Sequence, residues 1–283
     1  MSPQELLKRS SFSELDARAR ARCLLDPESM RELLGAFDRI KSPWLAMQGI
    51  TPQADDGVVV AKGTINGRPS VVIAIEGAYQ GGSIGEVGGA KIATALNLAA
   101  RDNRRGIPTS AIVLLETGGV RLQEANLGLA AIADIHSAIV DLRRYQPVIG
   151  IAVGTVGCYG GMSISAGLCS YLIASRETRL GLNGPAVIEQ EAGINEFDAR
   201  DKPFIWRFTG GEQRYLSKLV DAYVPDDSNE ILATVTTLLS CGVPKRHRSD
   251  SYHEFLACLA EVDAGEQASP EAIRRIYRKG LEA

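Results

Sequence analysis

Histidine is nearly missing from this chain. Its three copies, His136, His247 and His253, have no metal-ligand spacing, so neither a metal centre nor a nucleophile–histidine triad finds support. Cysteine is scarce and odd in number. Cys23, Cys158, Cys169, Cys241 and Cys258 include no C-x₂-C pair, which argues against a zinc ribbon and a disulfide framework and predicts reduced thiols. Charge is nearly balanced: a net −3 leaves no basic field, so nucleic acid is not expected as a partner. The Arg-rich "DARARARC" is diluted by Glu14 and Asp16 and reads as a solvated helix face. No uninterrupted apolar run approaches the roughly 18 residues a bilayer span needs. The first residues, "MSPQELLKRSSFSELD", hold no signal-peptide core. These absences together predict a cytoplasmic chain with no membrane contact.

Familiar nucleotide and nucleophile signatures are missing too. "GEVGGAK" has Ala90 before Lys91 and Ile92 after it, where a P-loop needs Gly and then Ser or Thr. No G-x-G-x-x-G occurs, and "GMSISAG" lacks the flanking glycines of a nucleophile elbow.

What is present is an alternation of strands and helices. "DDGVVVAKGTINGRPSVVIAIEG" reads as two strands joined through an Asn66-Gly67 turn. "GEVGGAKIATALNLAARDNRRG" then reads as a helix ending at Gly106. "TSAIVLLE", "PVIGIAVG" and "SYLIAS" are continuous apolar strands. Between them lie a long helix, "RLQEANLGLAAIADIHSAIVDLRRYQ", and a short one, "GMSISAGLC". Strands apolar on both faces, separated by helices, predict a parallel sheet covered on both sides, an α/β fold. "SSFSELDARARARCLL" and "PESMRELLGAFDRI" predict two N-terminal helices, and four more are expected from "GEQRYLSKLVD" onward. The chain is therefore read as one domain over 1–283, with a core at about 57–224 and helical extensions at 1–45 and 228–283.

Two Gly-rich turns follow apolar strands and open helices: "LLETGGVRLQE" and "VGTVGCYGGMS". The second begins a stretch with five glycines in fourteen residues, Gly154 to Gly167. One reading is tight strand–helix packing. The other is that bare main-chain N–H groups, orphaned at a helix start and lying at its positive end, are the working parts. Two such donors converging on one oxygen make an oxyanion hole, suited to a thioester carbonyl becoming an enolate. Two turns of one kind, with no competing catalytic side chain, favour the second reading. A third turn, "EGAYQGGSIGEVGGAK", fits packing and ligand contact equally. His136 is read as a core or interface residue, and Cys158 as a small buried one.

Three segments carry a resemblance: "GGSIGEVGGAKI", "ETGGVRLQEANLGLAAIADIHSAI" and "PVIGIAVGTVGCYGGMSISAGLCSYLIASRETRLGLNGPAVIEQEAG". Over residues 57–195 they resemble the carboxyltransferase β chains of acyl-CoA carboxylases. The likeness to the β subunit of biotin-independent malonate decarboxylase is greater, because Cys23 alone stands where a four-Cys ribbon would precede the core. The resemblance implies a crotonase-like fold of stacked ββα units, paired with a second crotonase-like (gamma) chain across a shared active site. It implies decarboxylation of a malonyl thioester carried on an acyl-carrier protein, with an acyl-transferase subunit in the same assembly. No cofactor or metal is implied on this chain, since the CoA-derived thioester arm belongs to the carrier. Gly118, Gly119 and the N–H of Val120 would form one oxyanion turn, and Gly160 and Gly161 the other. Gly82, Ser83, Arg121, Gln123 and Tyr159 are the candidates for substrate contact, and "VIEQEAG" (187–193) for the subunit contact. The alternative is the β subunit of a biotin-dependent carboxylase. A stand-alone hydratase would instead need an acid/base from Glu116, Glu124 or Glu189.

Overall fold

The computed structural model describes residues 9–35, 40–41, 46–49, 57–263 and 269–282. Its centre is a seven-stranded sheet whose spatial order follows the chain. Strands β1 (Arg31–Leu34), β2 (Val58–Ile65) and β3 (Arg68–Ile75) pair antiparallel. From β3 onward every pairing is parallel, through β4 (Ser110–Leu115), β5 (Val148–Ala152), β6 (Tyr171–Ser175) and β7 (Ala222–Val224). The continuous apolar runs have the predicted cause. β4 is buried at all its positions because helices cover both faces.

Alternation divides its side chains between two cores. Val113 and Leu115 face α2 (Glu86–Arg104), α3 (Ala125–Leu142) and α4 (Gly161–Leu168), meeting Ile92, Leu96, Ile135 and Met162. Ile112 and Leu114 face α1 (Ala17–Leu24) and α8 (Ser228–Cys241), meeting Leu24, Ile231 and Val235. Fully burying an aliphatic side chain of this size is worth about 1.5–3 kcal/mol. Between these elements and the C-terminus lie α5 (Pro185–Ala192), α6 (Lys202–Thr209), α7 (Gly211–Leu216), α9 (Tyr252–Ala260) and α10 (Pro270–Glu282).

The β2–β3 hairpin turns at Asn66 (φ 49°) and Gly67 (φ 74°), as their dipeptide predicts. The Asp26 carboxylate accepts the N–H groups of both, at 2.8 and 2.9 Å, and the Thr64 hydroxyl at 2.6 Å. Beyond the strand ends a second row of single parallel bridges stacks the units: Ile84 on Val120, Thr117 on Cys158, and Cys158 on Leu180.

One expectation needs correction. "PESMRELLGAFDRI" does not form a helix where it is described: Arg31–Leu34 is an edge strand, with Arg31 opposite Lys62 and Glu32 opposite Ala61. The outer edge of β2 offers unpaired backbone groups, and pairing with them overrides a weak local helical preference. Among the described residues of the N-terminal extension, α1 alone is helical, and the extension contributes a strand to the sheet. The rest of the expected helical extension, at 1–8, 36–39 and 42–45, lies outside the described residues. Three elements lie outside the expectations, α5, α6 and β7; Asp201 caps α6 by accepting from Phe204 N–H at 3.0 Å.

Leu122–Leu142 is long and apolar enough, by length and composition, to cross a membrane. In the fold its inner face, with Ile132, Ile135 and Ile139, packs against α2 and α4, while Leu129 and Val140 stay exposed.

Candidate active site

In sheets of this kind the loops at the carboxyl ends of parallel strands gather on one edge, where ligands bind. Here three such loops meet: 76–85 after β3, 116–124 after β4 and 153–160 after β5. They are laced together by main-chain bonds. Gly118 N–H donates to the Gly81 carbonyl at 2.8 Å, Ile84 N–H to Gly119 at 2.8 Å, and Thr117 N–H to Gly157 at 2.7 Å. Tyr159 N–H donates to the Thr117 carbonyl at 2.9 Å.

The second and third loops touch at two glycines. A Cβ on Gly119 would lie 3.1 Å from Gly160 Cα, and a Cβ on Gly160 would lie 3.1 Å from Gly119 Cα. Both residues have positive φ, +105° and +61°, a region that L side chains rarely enter. Glycine is therefore required twice over, by conformation and by close approach.

The donors can now be counted. Gly118 N–H is taken by Gly81, Gly119 N–H by the Thr117 hydroxyl at 3.0 Å, and Gly160 N–H by the Leu182 carbonyl at 2.7 Å. Among the described residues, the N–H groups of Val120 and Gly161 form no hydrogen bond. Gly161 is the first residue of α4, so its N–H is an orphan at the helix's positive end. Val120 N lies 3.8 Å from where a Cβ on Gly160 would stand, which brings the free donor of one turn to the start of the other. Val120, Gly160 and Gly161 are half-buried, so solvent reaches them. His136, on α3, has Nε2 2.9 Å from the Gly161 carbonyl oxygen and braces the same helix start.

The candidates for substrate contact divide. Gln123 is exposed on the turn before α3, and Ser83 is half-buried at the rim. Gly82 is buried against the Glu116 main chain. Arg121 turns inward instead. Only 2% exposed, its guanidinium pairs with Glu124 at 3.0 Å and donates to the Ser83 carbonyl at 2.9 Å. Tyr159 is also internal, with its ring beside Gly157. Its hydroxyl has no hydrogen-bond partner among the described residues, and burial raises its pKa. Neither side chain opens to the loop surface. The acid/base candidates are spent as well: Glu116 pairs with Arg20 and Glu124 with Arg121, while Glu189 accepts from Ala199 N–H at 2.7 Å. Cys158 is fully buried and desolvation pushes its thiol pKa up, so it is not a nucleophile.

Sequence reading missed the Arg20–Glu116 pair and the brace from His136. The first joins residues 96 apart and leaves no local pattern. The second was visible only as a histidine in an amphipathic helix.

Two open main-chain donors at touching glycine turns, carried on bridged and stacked units, are the features that set the class of this site. The chain belongs to the carboxyl transferase domain family, whose model matches residues 11–269. A chain of the Pseudomonas malonate decarboxylase hetero-tetramer, solved in complex with malonate, is 61% identical with a TM-score of 0.92. That match covers 98% of this chain and 100% of the other. A chain of the Pseudomonas malonate decarboxylase MdcD-MdcE hetero-dimer is 55% identical, with a TM-score of 0.76 over 90% of this chain and 99% of that one. The malonyl-S-ACP:biotin-protein carboxyltransferase of Malonomonas rubra is 39% identical over 82% of this chain and 76% of its own length. Transcarboxylase 12S shares the fold at 28% identity and a TM-score of 0.66, but the match covers only 42% of its chain. The crotonase-like architecture is thereby established, and the likeness to malonate decarboxylase exceeds that to the carboxyltransferases.

Proposed function

We propose that this chain is the subunit of a biotin-independent malonate decarboxylase that holds the enolate oxygen of a malonyl thioester. The observation that carries the reading is the pair of unspent donors, Val120 N–H and Gly161 N–H, where two glycine turns touch. On the malonyl thioester, the bond between the α-carbon and the free carboxylate breaks and CO₂ leaves. Its electron pair moves onto the α-carbon and the thioester carbonyl, and the charge gathers on oxygen. A fixed main-chain donor aimed at that oxygen lowers the barrier by about 3 kcal/mol. The α-carbon then takes a proton to give the acetyl thioester.

Several features support the rest of the assembly. The exposed apolar side chains of Leu122 and Leu129, at and near the start of α3, and of Val187 on α5 suit a second crotonase-like subunit across the loop edge. The Pseudomonas relatives are parts of hetero-oligomers. In this reading the substrate arrives on the CoA-derived arm of an acyl-carrier protein, an acyl-transferase subunit loads it, and the complex works in the cytoplasm. The Malonomonas relative gives the second reading its footing, since that protein's acceptor is a biotin protein.

The test is the co-purified complex given a malonyl thioester on its carrier, with and without a biotinylated acceptor. CO₂ and acetyl thioester formed without biotin or ATP are the expected result. Product formed only when the biotinylated acceptor is supplied overturns the reading in favour of carboxyl transfer.

A further inference from the structure

Beneath the two glycine turns lies a carboxylate bonded from two directions. Glu116, at the carboxyl end of β4, is 4% exposed. Its Oε2 accepts from Arg20 Nη1 at 2.5 Å. Its Oε1 accepts the main-chain N–H groups of Thr155, at 2.8 Å, and Val156, at 3.3 Å. Those two residues begin the turn that ends at Gly160 and Gly161. A Cβ on Gly154 would fall on the carboxylate itself, so the turn's backbone lies flush against it. Both oxygens are occupied, and Glu116 is not free to exchange protons with a substrate.

Arg20 is held as firmly from its other side. Its Nε donates to the Phe12 carbonyl at 3.0 Å and its Nη2 to that of Ser13. The Ser11–Ser13 segment is clamped in turn by Asp226, which accepts Phe12 N–H at 3.1 Å and Ser13 N–H at 2.9 Å. Glu76, at the end of β3, accepts Ala17 N–H at 2.9 Å. The contacts made by residues 12 to 20 therefore lie at the carboxyl ends of β7, β4 and β3, under the loops that form the site.

We propose that Glu116 is a positioning residue for the oxyanion donor at Gly161. Arg20 fixes its carboxylate, which makes the N-terminal segment part of the active-site scaffold. This inference rests on the reading of Gly161 N–H as an oxyanion donor. A main-chain donor has no rotamer of its own, so its aim is set by the chain on either side of it, here the helix it opens and the turn that leads to it. The carboxylate grips that chain at its first two peptides with charge-assisted bonds, the stronger class of hydrogen bond. Because misplacing a reacting group by about 1 Å costs on the order of 10²-fold in rate, loosening this grip should appear in kcat.

The experiment compares Glu116→Leu, Glu116→Gln and Arg20→Met in the assembled complex, reading kcat and KM with malonyl thioester and amide hydrogen exchange without substrate. Glu116→Leu is expected to lose about 10²-fold in kcat with KM within a few-fold. Glu116→Gln keeps one acceptor oxygen for Thr155 and Val156 and should retain more. All three should accelerate exchange at Thr155 and Val156. Wild-type kcat in an assembled Glu116→Leu complex overturns the proposal, and so does unchanged exchange at those amides. If the leucine variant does not assemble, exchange in Glu116→Gln and Arg20→Met decides alone. Should the wild-type complex fail to decarboxylate malonyl thioester, the functional reading falls while the exchange result still judges the grip.

Discussion

Replacing Gly119 with alanine probes the contact between the two turns directly. The new Cβ would meet Gly160 Cα and the Tyr159 carbonyl oxygen, each at 3.1 Å. Both are backbone atoms, so neither can swing aside. Ordinary carbon contacts settle at about 3.5–4.0 Å, so the turns must part by roughly 0.4–0.9 Å. If a 1 Å misplacement costs about 10²-fold, kcat should fall by roughly 10- to 100-fold. A donor that acts on charge developing in the transition state affects turnover more than substrate binding, so KM should change little. Alanine at φ +105° also carries backbone strain of about 1–3 kcal/mol, which by itself lowers stability without touching the site. Gly106→Ala separates the two effects. Gly106 has φ +82° and nothing within 4 Å of its would-be Cβ, so it bears the same kind of strain far from the loops. Single-turnover decarboxylation by the assembled complex, with a thermal melt of each variant, is the assay. Gly106→Ala should melt lower with kcat unchanged, and Gly119→Ala should lose both. Equal kcat in the two variants would refute the claim that turn separation controls turnover.

Arg121→Met leaves the buried Glu124 carboxylate without its ion pair, which typically costs about 3–5 kcal/mol and should show as a large drop in melting temperature. Normal stability in that variant would instead return Arg121 to the substrate side. Asp26 is held below its ordinary pKa of 3.8, first by the Thr64 hydroxyl and then by the Gly67 N–H. A depressed folded-state pKa contributes stability that is complete above 3.8 and is lost as pH falls through the lowered value. Asp26→Ala should therefore destabilise by on the order of 1 kcal/mol at neutral pH, with the gap to wild type narrowing in acid denaturation below that point. Thiol alkylation of the native chain should modify exposed Cys241. It should spare Cys158, whose pKa desolvation raises, and Cys169, pushed up by desolvation to about 12. Rapid labelling of Cys158 in the folded protein would contradict its burial.

How much of this was readable beforehand depends on the range of the interaction. β4, β5 and β6 were legible because burial on both faces leaves one continuous apolar signal. The Asn66-Gly67 turn was legible because its backbone angles demand those residues. The strand Arg31–Leu34 was not, since an edge strand owes its state to the neighbour it pairs with. Within the candidate site, glycine spacing marked the two turns that touch but could not say which N–H groups remain open. That depends on Gly81 and Leu182, whose carbonyls take the N–H groups of Gly118 and Gly160. Arg121, next to a glycine turn, was a candidate for substrate contact. Glu124, three residues on, was the local clue that its charge is answered within the protein.

A site built from main-chain donors places its demands beneath the surface. A catalytic side chain can be aimed by choosing a rotamer, but a peptide N–H moves only when its chain moves. Accuracy must then come from what the loops rest on. The bonds from Thr117 to Gly157, Gly118 to Gly81 and Gly160 to Leu182 fix the loops to one another. Two ion pairs lie buried below them, although taking charges out of water is costly and a hydrophobic pair of the same volume would often be as stable. Their value is directional. Glu116 and Glu124 each use one carboxylate to hold a cation and main-chain N–H groups together: Thr155 and Val156 for the first, Glu86 for the second. These bonds take up main-chain N–H groups of the loops, and the pattern leaves those of Val120 and Gly161 open where the two turns meet.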